Sequence, residues 1–135
     1  MAGYSKKSLV EKLGIKEGST IIIVNPPLGY DKTLGRLPQN VTRVKQLKSP
    51  LDFIHFFTKE KKKLEDLFPK LKKALASNGM LWVSWPKGSS RIPTDLNENV
   101  VRAIGLRNGL VDVKVCAIDE RWSGLKFVYR AEDRK

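Results

Sequence analysis

A run of β-branched residues that stops at a double proline constrains this chain more than any other segment. Its sequence is Thr20-Ile-Ile-Ile-Val-Asn-Pro-Pro-Leu-Gly-Tyr30. A continuous apolar run bounded by turn residues is typical of a strand that is buried on both faces. Because proline lacks a backbone N–H, Pro26 and Pro27 stop the strand and start a rigid turn. The segment therefore predicts a central strand over Thr20–Asn25 with a loop at its carboxyl end.

The remainder of the chain alternates between strand and helix patterns. Strand patterns cover residues 41–47, 51–57, 80–85, 110–118 and 125–130. Helix patterns cover residues 5–13, 58–79 and 95–109. This alternation predicts a parallel sheet with helices on both faces, and the short segment 119–124 predicts a final antiparallel hairpin. The expected fold class is α/β, a small three-layer domain with a mostly parallel sheet of about six strands.

Particular side chains predict where the helices begin and where they are disturbed. Ser5 is a candidate N-cap, because its hydroxyl can accept a hydrogen bond from the first turn. Asp95, with Glu98 three residues later, has the spacing of a capping box. Pro69 lies inside the longest helix pattern, where it should kink or split the helix, and Asn78-Gly79 should end that helix.

Size and composition favour one folded domain inside the cell. The 135 residues suffice for a single core, so residues 1–135 are predicted to form one domain. No segment reaches the ~18 apolar residues of a membrane span, and the N-terminus lacks the apolar region of a secretory signal. The single cysteine, Cys116, excludes an internal disulfide and is predicted to be a packed thiol. We therefore expect a cytoplasmic protein with no membrane partner.

The net charge of +12 favours anionic partners. Such a charge attracts nucleotides and nucleic acid, and the simpler explanation is solubility or an unusual ionic or pH environment. The helix pattern over 59–73 holds seven lysines. They form either a track for a nucleic-acid backbone or the solvated face of an amphipathic helix. A small anionic ligand and nucleic acid are both expected classes of partner.

The loops after the parallel strands are expected to form the ligand site. In an open α/β sheet, ligands bind outside the carboxyl ends of the strands. This rule selects the segments 25–36, 55–59 and 85–93, and the hairpin turn 119–124 should lie at the same edge. These segments supply flat side chains, namely Tyr30, His55, Trp85 and Trp122. They also supply cations, namely Lys32, Arg36, Lys59, Lys87 and Arg91. Flat groups beside cations predict an aromatic, anionic ligand.

One loop has the pattern of an anion-binding turn. Two cations, two hydroxyls and small-residue amides stand side by side in Lys87, Gly88, Ser89, Ser90 and Arg91. The spacing is not that of a P-loop, G-x-x-x-x-G-K-[ST], and a solvated surface loop is the alternative. We predict that this loop holds the ligand's phosphate.

Several of these side chains also have a structural interpretation. The Pro26-Pro27 corner can simply end the strand, and Trp122 can simply cover the hairpin. Trp82 and Trp85 project from opposite faces of their strand. Trp82 is assigned to the core, and Trp85, at the end of the strand, is assigned to the site. His55, the only histidine, lies among phenylalanines, and no catalytic partner is identifiable by spacing. A packed structural role is therefore assigned to it in preference to a catalytic role. No cluster has metal-ligand spacing, so no metal is predicted.

The order of elements resembles a shortened Rossmann-type methyltransferase core. Segments 51–56, 75–85 and 110–129 resemble its fourth strand, its helix–glycine–strand passage and its terminal hairpin. The chain also resembles a family of small bacterial domains of unknown function, through Gly3-Tyr-Ser, Leu13-Gly-Ile-Lys, Leu51-Asp-Phe-Ile-His, Gly79-Met-Leu-Trp-Val-Ser-Trp-Pro-Lys, Pro93-Thr-Asp-Leu and Val111-Asp-Val-Lys-Val-Cys-Ala. The resemblance implies a Rossmann-like fold and an intracellular location, and it implies no activity.

The chain departs from the methyltransferase pattern at the cofactor-binding positions. No G-x-G-x-x-G occurs, and the first strand ends in Asn25-Pro26-Pro27 where the resemblance implies a Gly-rich turn. Where an acidic residue should hold ribose hydroxyls, the segment 41–48 offers Arg43, Lys45 and Lys48. Asn25-Pro26-Pro27 also resembles the Asn-Pro-Pro-aromatic motif of some amino-group methyltransferases, although Leu28 and Gly29 precede Tyr30.

Three functional hypotheses follow. The first is a module that binds an anionic, nucleotide-like ligand through Asn25, Tyr30, Trp85, Lys87, Gly88, Ser89, Ser90, Arg91 and Trp122. The second is a methyltransferase-like enzyme that uses S-adenosylmethionine, with Asn25 or His55 near the chemistry. The third is a nucleic-acid-binding protein that uses its basic surface. The sequence assigns no catalytic residue, cofactor or oligomeric state.

Overall fold

The chain is built around a mixed, six-stranded sheet. The computed structural model describes residues 8–134. In chain order the elements are α1 (Leu9–Leu13), β1 (Thr20–Val24), α2 (Tyr30–Leu34), β2 (Thr42–Arg43), β3 (Leu51–Phe57), α3 (Lys61–Ala74), β4 (Leu75–Pro86), α4 (Glu98–Arg107), β5 (Leu110–Ala117) and β6 (Trp122–Tyr129). Short 3₁₀ turns occur at Gly88–Ser90 and Ala131–Asp133. No helix within 8–134 has both the length and the apolar character needed to span a membrane.

The strand order is β2-β1-β3-β4-β6-β5. The first four strands in this order are parallel, and β6 is antiparallel to both β4 and β5. His55 lies opposite Ile23 on one side and Trp82 on the other, so the most apolar strands occupy the middle. This sheet confirms the predicted α/β class with its C-terminal hairpin. Because β5 runs in the direction of β4, the β5–β6 turn lies at the carboxyl edge, as predicted.

Alternate residues of the strands build a core on each face of the sheet. On one face, Leu71 of α3 and Ile104 of α4 pack with Phe127 of β6 in what we call the α3–α4 core. On the other face, Leu13 and Trp82 belong to the α1–α2 core. Trp82 is fully buried, and its Nε1 donates to the carbonyl oxygen of Leu13 at 2.9 Å. The assignment of Trp82 to the core is therefore confirmed.

The segment between β1 and β3 contains more helix and less strand than its sequence predicts. Residues 30–34 form α2, where Gly29 at φ 82° starts the helix and the buried side chains of Tyr30 and Leu34 hold it against the α1–α2 core. The predicted strand 41–47 is reduced to Thr42–Arg43. β2 is an edge strand with one neighbour, so its charged continuation gains little from further pairing.

The helix α3 ends earlier than predicted. It stops at Ala74 rather than at Asn78-Gly79, and β4 begins at once, so that Leu75 pairs with Leu51 before the register shifts. A glycine is required at this shift, because a Cβ on residue 79 would lie 2.8 Å from the Leu51 carbonyl oxygen. Pro69 lies inside α3 without splitting it. Its exposed position lets water satisfy the carbonyl that proline leaves without a donor.

The helix caps also differ from the predicted ones. Ser5 lies outside the described residues, and α1 begins after Ser8, which forms a reciprocal capping box with the first turn. The cap of α4 is Asn97, whose side chain accepts a backbone hydrogen bond at 2.9 Å. Asp95 instead accepts from the backbone N–H of Lys61 at 2.7 Å. Asp95 therefore satisfies the start of α3, a neighbouring helix, and not the start of its own.

Candidate functional site

Three loops enclose an open cavity at the carboxyl edge of the sheet. Its volume is about 610 Å³. The turn after β1, the loop after β4 and the β5–β6 turn supply its lining, which is Pro27, Leu28, Ile92, Asp119, Glu120, Arg121 and Trp122. A hydrogen bond of 2.8 Å from Lys87 N to the Arg121 carbonyl oxygen joins the second loop to the third. We call this space the carboxyl-edge cavity.

The turn after β1 is held by Asn25. This residue adopts a left-handed conformation, φ 59°, and its Nδ2 donates to the carbonyl oxygen of Phe57 at 2.9 Å. The bond ties the end of β1 to the end of β3. Pro26 and Pro27 carry no N–H. The turn therefore lacks the row of backbone donors with which a Gly-rich turn holds a phosphate.

A chain of three polar side chains crosses the α1–α2 core. Tyr30 Oη lies 2.8 Å from His55 Nδ1, and His55 Nε2 lies 2.7 Å from Ser84 Oγ. All three residues are at most 3% exposed. Burial lowers the pKa of His55 to about 3 and raises the pKa of the Tyr30 hydroxyl. A neutral imidazole donates from one nitrogen and accepts at the other, so it satisfies both hydroxyls.

This Tyr30–His55–Ser84 chain braces the interior. Tyr30 also lies edge-on to Phe57, with 5.1 Å between the ring centroids, and it does not line the carboxyl-edge cavity. Ser84 was not singled out from the sequence, because its contact with His55 arises only from the β3–β4 register. The signal that was available is a serine inside an otherwise apolar strand, which needs a polar partner when buried.

The structure separates the predicted stacking residues. Trp85 is 5% exposed and belongs to the α3–α4 core, whereas Tyr30 belongs to the α1–α2 core. Trp85 pairs with Ser123 inside the sheet. The prediction that Trp85 lies among the loops is therefore wrong. Trp122 lines the cavity and lies edge-on to Phe57, 5.2 Å between ring centroids. Contact of Trp122 with a ligand stays a prediction.

The predicted phosphate loop uses part of its polar groups internally. Ser90 Oγ donates to the Lys87 carbonyl oxygen at 2.6 Å and accepts from a backbone N–H two residues later at 3.2 Å. Gly88–Ser90 form a 3₁₀ turn, and Arg91 follows in a left-handed conformation, φ 62°. Gly88, Ser89 and Arg91 are exposed. The loop therefore presents the Ser89 side chain and the Arg91 side chain to solvent, while Ser90 braces the turn.

Charged groups of both signs line the carboxyl-edge cavity. Asp119 Oδ1 accepts from the backbone N–H groups of Arg121 and Trp122 at 2.7 and 2.8 Å, which shapes the hairpin turn. Glu120 and Arg121 are exposed beside it. The lining includes none of the five predicted cations, Lys32, Arg36, Lys59, Lys87 and Arg91, and Ile92 is the residue that the loop after β4 contributes. Within residues 8–134, no group of three or more His, Cys, Asp or Glu side chains is placed to hold a metal ion.

The sheet order and the antiparallel terminal pair define a methyltransferase-like, Rossmann-type α/β fold, and solved structures agree. A SAM-dependent methyltransferase from Aquifex aeolicus matches with TM-score 0.61 and 16% identity, covering 88% of this chain and 86% of that one. A TehB-like SAM-dependent methyltransferase from Corynebacterium glutamicum matches with TM-score 0.56 and 11% identity, covering 96% and 91%. Magnesium protoporphyrin IX methyltransferase from Synechocystis, with bound SAH, matches with TM-score 0.59 and 11% identity, covering 90% and 78%.

No protein-family model matches the chain, and no curated protein matches it in sequence. At these identities the similarity to the solved structures is one of fold. The resemblance to a shortened methyltransferase core is therefore confirmed at the level of architecture.

Proposed function

We propose that this chain binds an anionic, nucleotide-like ligand in the carboxyl-edge cavity. The observation that carries the proposal is the meeting of three loops around one space of about 610 Å³. That volume is within the range of small-molecule sites, about 300–1,000 Å³. The position is also the edge at which open α/β sheets bind ligands.

The cavity supplies one chemical group for each part of a nucleotide. Leu28, fully exposed at the rim, and Trp122 provide apolar surface for a base. Glu120 provides carboxylate oxygens that accept from ribose hydroxyls, as acidic residues do in dinucleotide folds. Arg121 provides a guanidinium for phosphate, and its backbone is joined to the phosphate loop at Lys87.

The ligand set proposed here differs from the one that the sequence suggested. Tyr30 and Trp85 are removed from stacking because they are buried and do not line the cavity, whereas Trp122, 9% exposed and also part of the α1–α2 core, does line it. Asn25 shapes the rim through its bond to Phe57. Lys87 and Arg91 lie outside the lining, but the hydrogen bond from Lys87 N to the Arg121 carbonyl oxygen holds their loop beside Arg121, so both keep their proposed role as phosphate contacts at the rim.

A methyltransferase-like enzyme that uses S-adenosylmethionine is the second candidate. The fold that this chain shares with SAM-dependent methyltransferases supports it. The turn after β1 weighs against it, because Pro26 and Pro27 provide no N–H donors where a Gly-rich turn would hold the cofactor. S-adenosylmethionine and its demethylated product therefore belong in the same binding test as the nucleotides.

A thermal-shift panel followed by calorimetry tests both candidates. The panel contains mononucleotides, dinucleotides, S-adenosylmethionine and its demethylated product. A ligand at about 100 times its dissociation constant should stabilise the fold by roughly 2.7 kcal/mol. We expect an anionic nucleotide to bind, and a shift with S-adenosylmethionine or its product alone would favour the second candidate. No shift with any ligand at millimolar concentration would make both wrong.

Matched variants locate the site. Lys87→Ala combined with Arg91→Ala, and separately Arg121→Ala, should weaken nucleotide binding by about tenfold or more, as expected for lost charge-assisted hydrogen bonds. Arg36→Ala is the control, because Arg36 is exposed and follows α2, outside the three loops that line the cavity. Unchanged affinity in Arg121→Ala and in the double variant would show that the ligand does not bind in this cavity.

A further inference from the structure

Two cavities lie along α3, and a third adjoins the second of them through the segment that follows β2. Their volumes are about 370, 290 and 300 Å³. The first two share Lys70, and the last two are lined by neighbouring residues of the segment 44–49. Among the described residues, α3 and α4 are the helices that pack on this face. The β1–β2 side therefore remains open beside α3.

The charged residues that line these cavities are five lysines and one aspartate. We call the three cavities together the basic groove, and its lysines are Lys45, Lys48, Lys63, Lys70 and Lys73. All five are exposed, and apart from the pair between Lys63 and Glu60 at 3.0 Å they form no ion pair within residues 8–134. The acidic residue of the lining, Asp66, is paired with Lys62 at 3.5 Å. The groove thus presents ammonium groups that the fold itself does not neutralise.

Three of the five lysines follow one side of α3. Lys63, Lys70 and Lys73 lie seven and three residues apart on α3, which keeps them on one side of the helix. At a rise of 1.5 Å per residue they span about 15 Å. Leu47 and Ser49 form the opposite wall of the middle cavity. Apolar side chains line the groove between its lysines, namely Val44, Leu47, Leu51, Phe56, Leu67 and Ala74.

We propose that the basic groove binds a single strand of nucleic acid through its phosphates. Lysine is a flexible point charge that suits phosphate contacts, which position a strand without reading its sequence. The proposed contacts are to phosphates rather than to bases, because Phe56, the aromatic side chain of the lining, is only 4% exposed and offers no stacking surface. The groove shares no residue with the carboxyl-edge cavity, so this proposal does not depend on the proposed function.

The composition of the groove favours nucleic acid over an acidic protein. Lysine is depleted in protein–protein interfaces, whereas nucleic-acid interfaces are strongly positive. The apolar side chains of the groove are buried or half-buried, so they offer no exposed anchor for a protein partner. A duplex, with a backbone on each side, would touch the rims of the cavities without entering them.

Fluorescence anisotropy with a labelled single strand of about 12 nucleotides tests the proposal. Affinity should fall with salt, with a slope near −0.7 for each phosphate contact. Lys48→Glu combined with Lys70→Glu should weaken binding by at least tenfold and reduce the slope by about 1.4. Lys48→Ala with Lys70→Ala serves as a milder second variant, and circular dichroism checks that both variants are folded.

The matched control is Lys32→Glu combined with Lys114→Glu, which changes the net charge equally at exposed sites outside the groove. At about 150 mM salt, where charges farther than about 8 Å are screened, this control should bind like the unmodified chain. Arg121→Ala should also leave strand binding unchanged, which separates this proposal from the one for the carboxyl-edge cavity.

Four results would overturn the proposal. They are no strand binding at about 50 mM salt, an equal loss of affinity in the control, tighter binding of a duplex, and tighter binding of an acidic peptide or of anionic vesicles. The proposal is supported if the nucleic-acid strand binds the unmodified chain and the control, and if only the Lys48 and Lys70 variants lose this binding.

Discussion

His55 Nε2 and Ser84 Oγ lie 2.7 Å apart in the interior of the sheet, on neighbouring strands and 29 residues apart in the chain. Both are fully buried. The other ring nitrogen of His55 bonds to Tyr30, so the imidazole has a partner on each side. Each of these polar atoms depends on the others for its hydrogen bond, because water does not reach them.

Removing the Ser84 hydroxyl should destabilise the fold. Ser84→Ala leaves a buried nitrogen of His55 without its partner, and an unsatisfied buried polar group costs about 1–3 kcal/mol. We expect the free energy of unfolding in urea to fall by that amount at neutral pH. Ser89→Ala is the control, because Ser89 is exposed and should change stability by about 0.5 kcal/mol or less. Equal effects of the two substitutions would contradict the network.

Stability should decrease below pH 6.5 because of His55. Burial lowers the folded-state pKa of His55 to about 3 from 6.5, so the unfolded chain binds the proton more readily. The contribution is fully present above about pH 6.5 and is lost as the pH falls, by up to about 1.4 kcal/mol per pH unit. His55 is the only histidine, so His55→Gln should flatten the urea-derived stability profile between about pH 6.5 and 5. An unchanged profile in this variant would assign the titration to other groups.

Gly105→Ala should destabilise the chain although alanine favours helices. A Cβ on residue 105 would lie 2.0 Å from Cε1 of Phe127, because α4 packs directly on β6. Overpacking of this kind costs about 1–3 kcal/mol, which exceeds the gain in helix propensity of about 1 kcal/mol. Gly88→Ala is the control, since a Cβ there meets nothing within 4 Å. A melting temperature that rises in Gly105→Ala would show that the helix moves away at little cost.

Asp95→Ala should loosen the start of α3 and spare the start of α4. The Asp95 carboxylate accepts from Lys61 N at 2.7 Å, and loss of such a cap costs about 1 kcal/mol. Hydrogen exchange should accelerate at the amides of residues 61–64. Asn97→Ala should instead accelerate exchange in the first turn of α4, which Asn97 caps. Faster exchange at α4 in Asp95→Ala would restore the capping box predicted from the sequence.

The elements that could be predicted are those whose pattern is local and continuous. β3 covers Leu51–Phe57 as expected, and β1 ends before Asn25 as the Pro-Pro corner requires. α2 was missed, because five residues between two glycines carry too little periodicity. What stabilises α2 is the burial of Tyr30 against His55, a contact 25 residues distant in the chain.

The candidate site could be predicted in position and only partly in composition. The direction of the strands brings the loops of Pro27, Ile92 and Trp122 together, and strand direction follows from the alternation of strands and helices. The local pattern assigns Trp85 to the loops because the apolar run ends at this residue. Pairing with β6 extends β4 to Pro86 and keeps Trp85 in the core. That pairing depends on residues about 40 positions later, which local periodicity does not report.

The sequence by itself determined the α/β class, the central apolar strands, the corner after β1 and the excess of positive charge. Each of these depends on residues that are neighbours in the chain. The tertiary structure decided the partners of His55, the helix that Asp95 caps and the gathering of lysines into the basic groove. Those outcomes depend on which segments become neighbours in space, because a hydrogen bond or a charge cluster needs its partners within a few ångströms, whatever their separation in sequence.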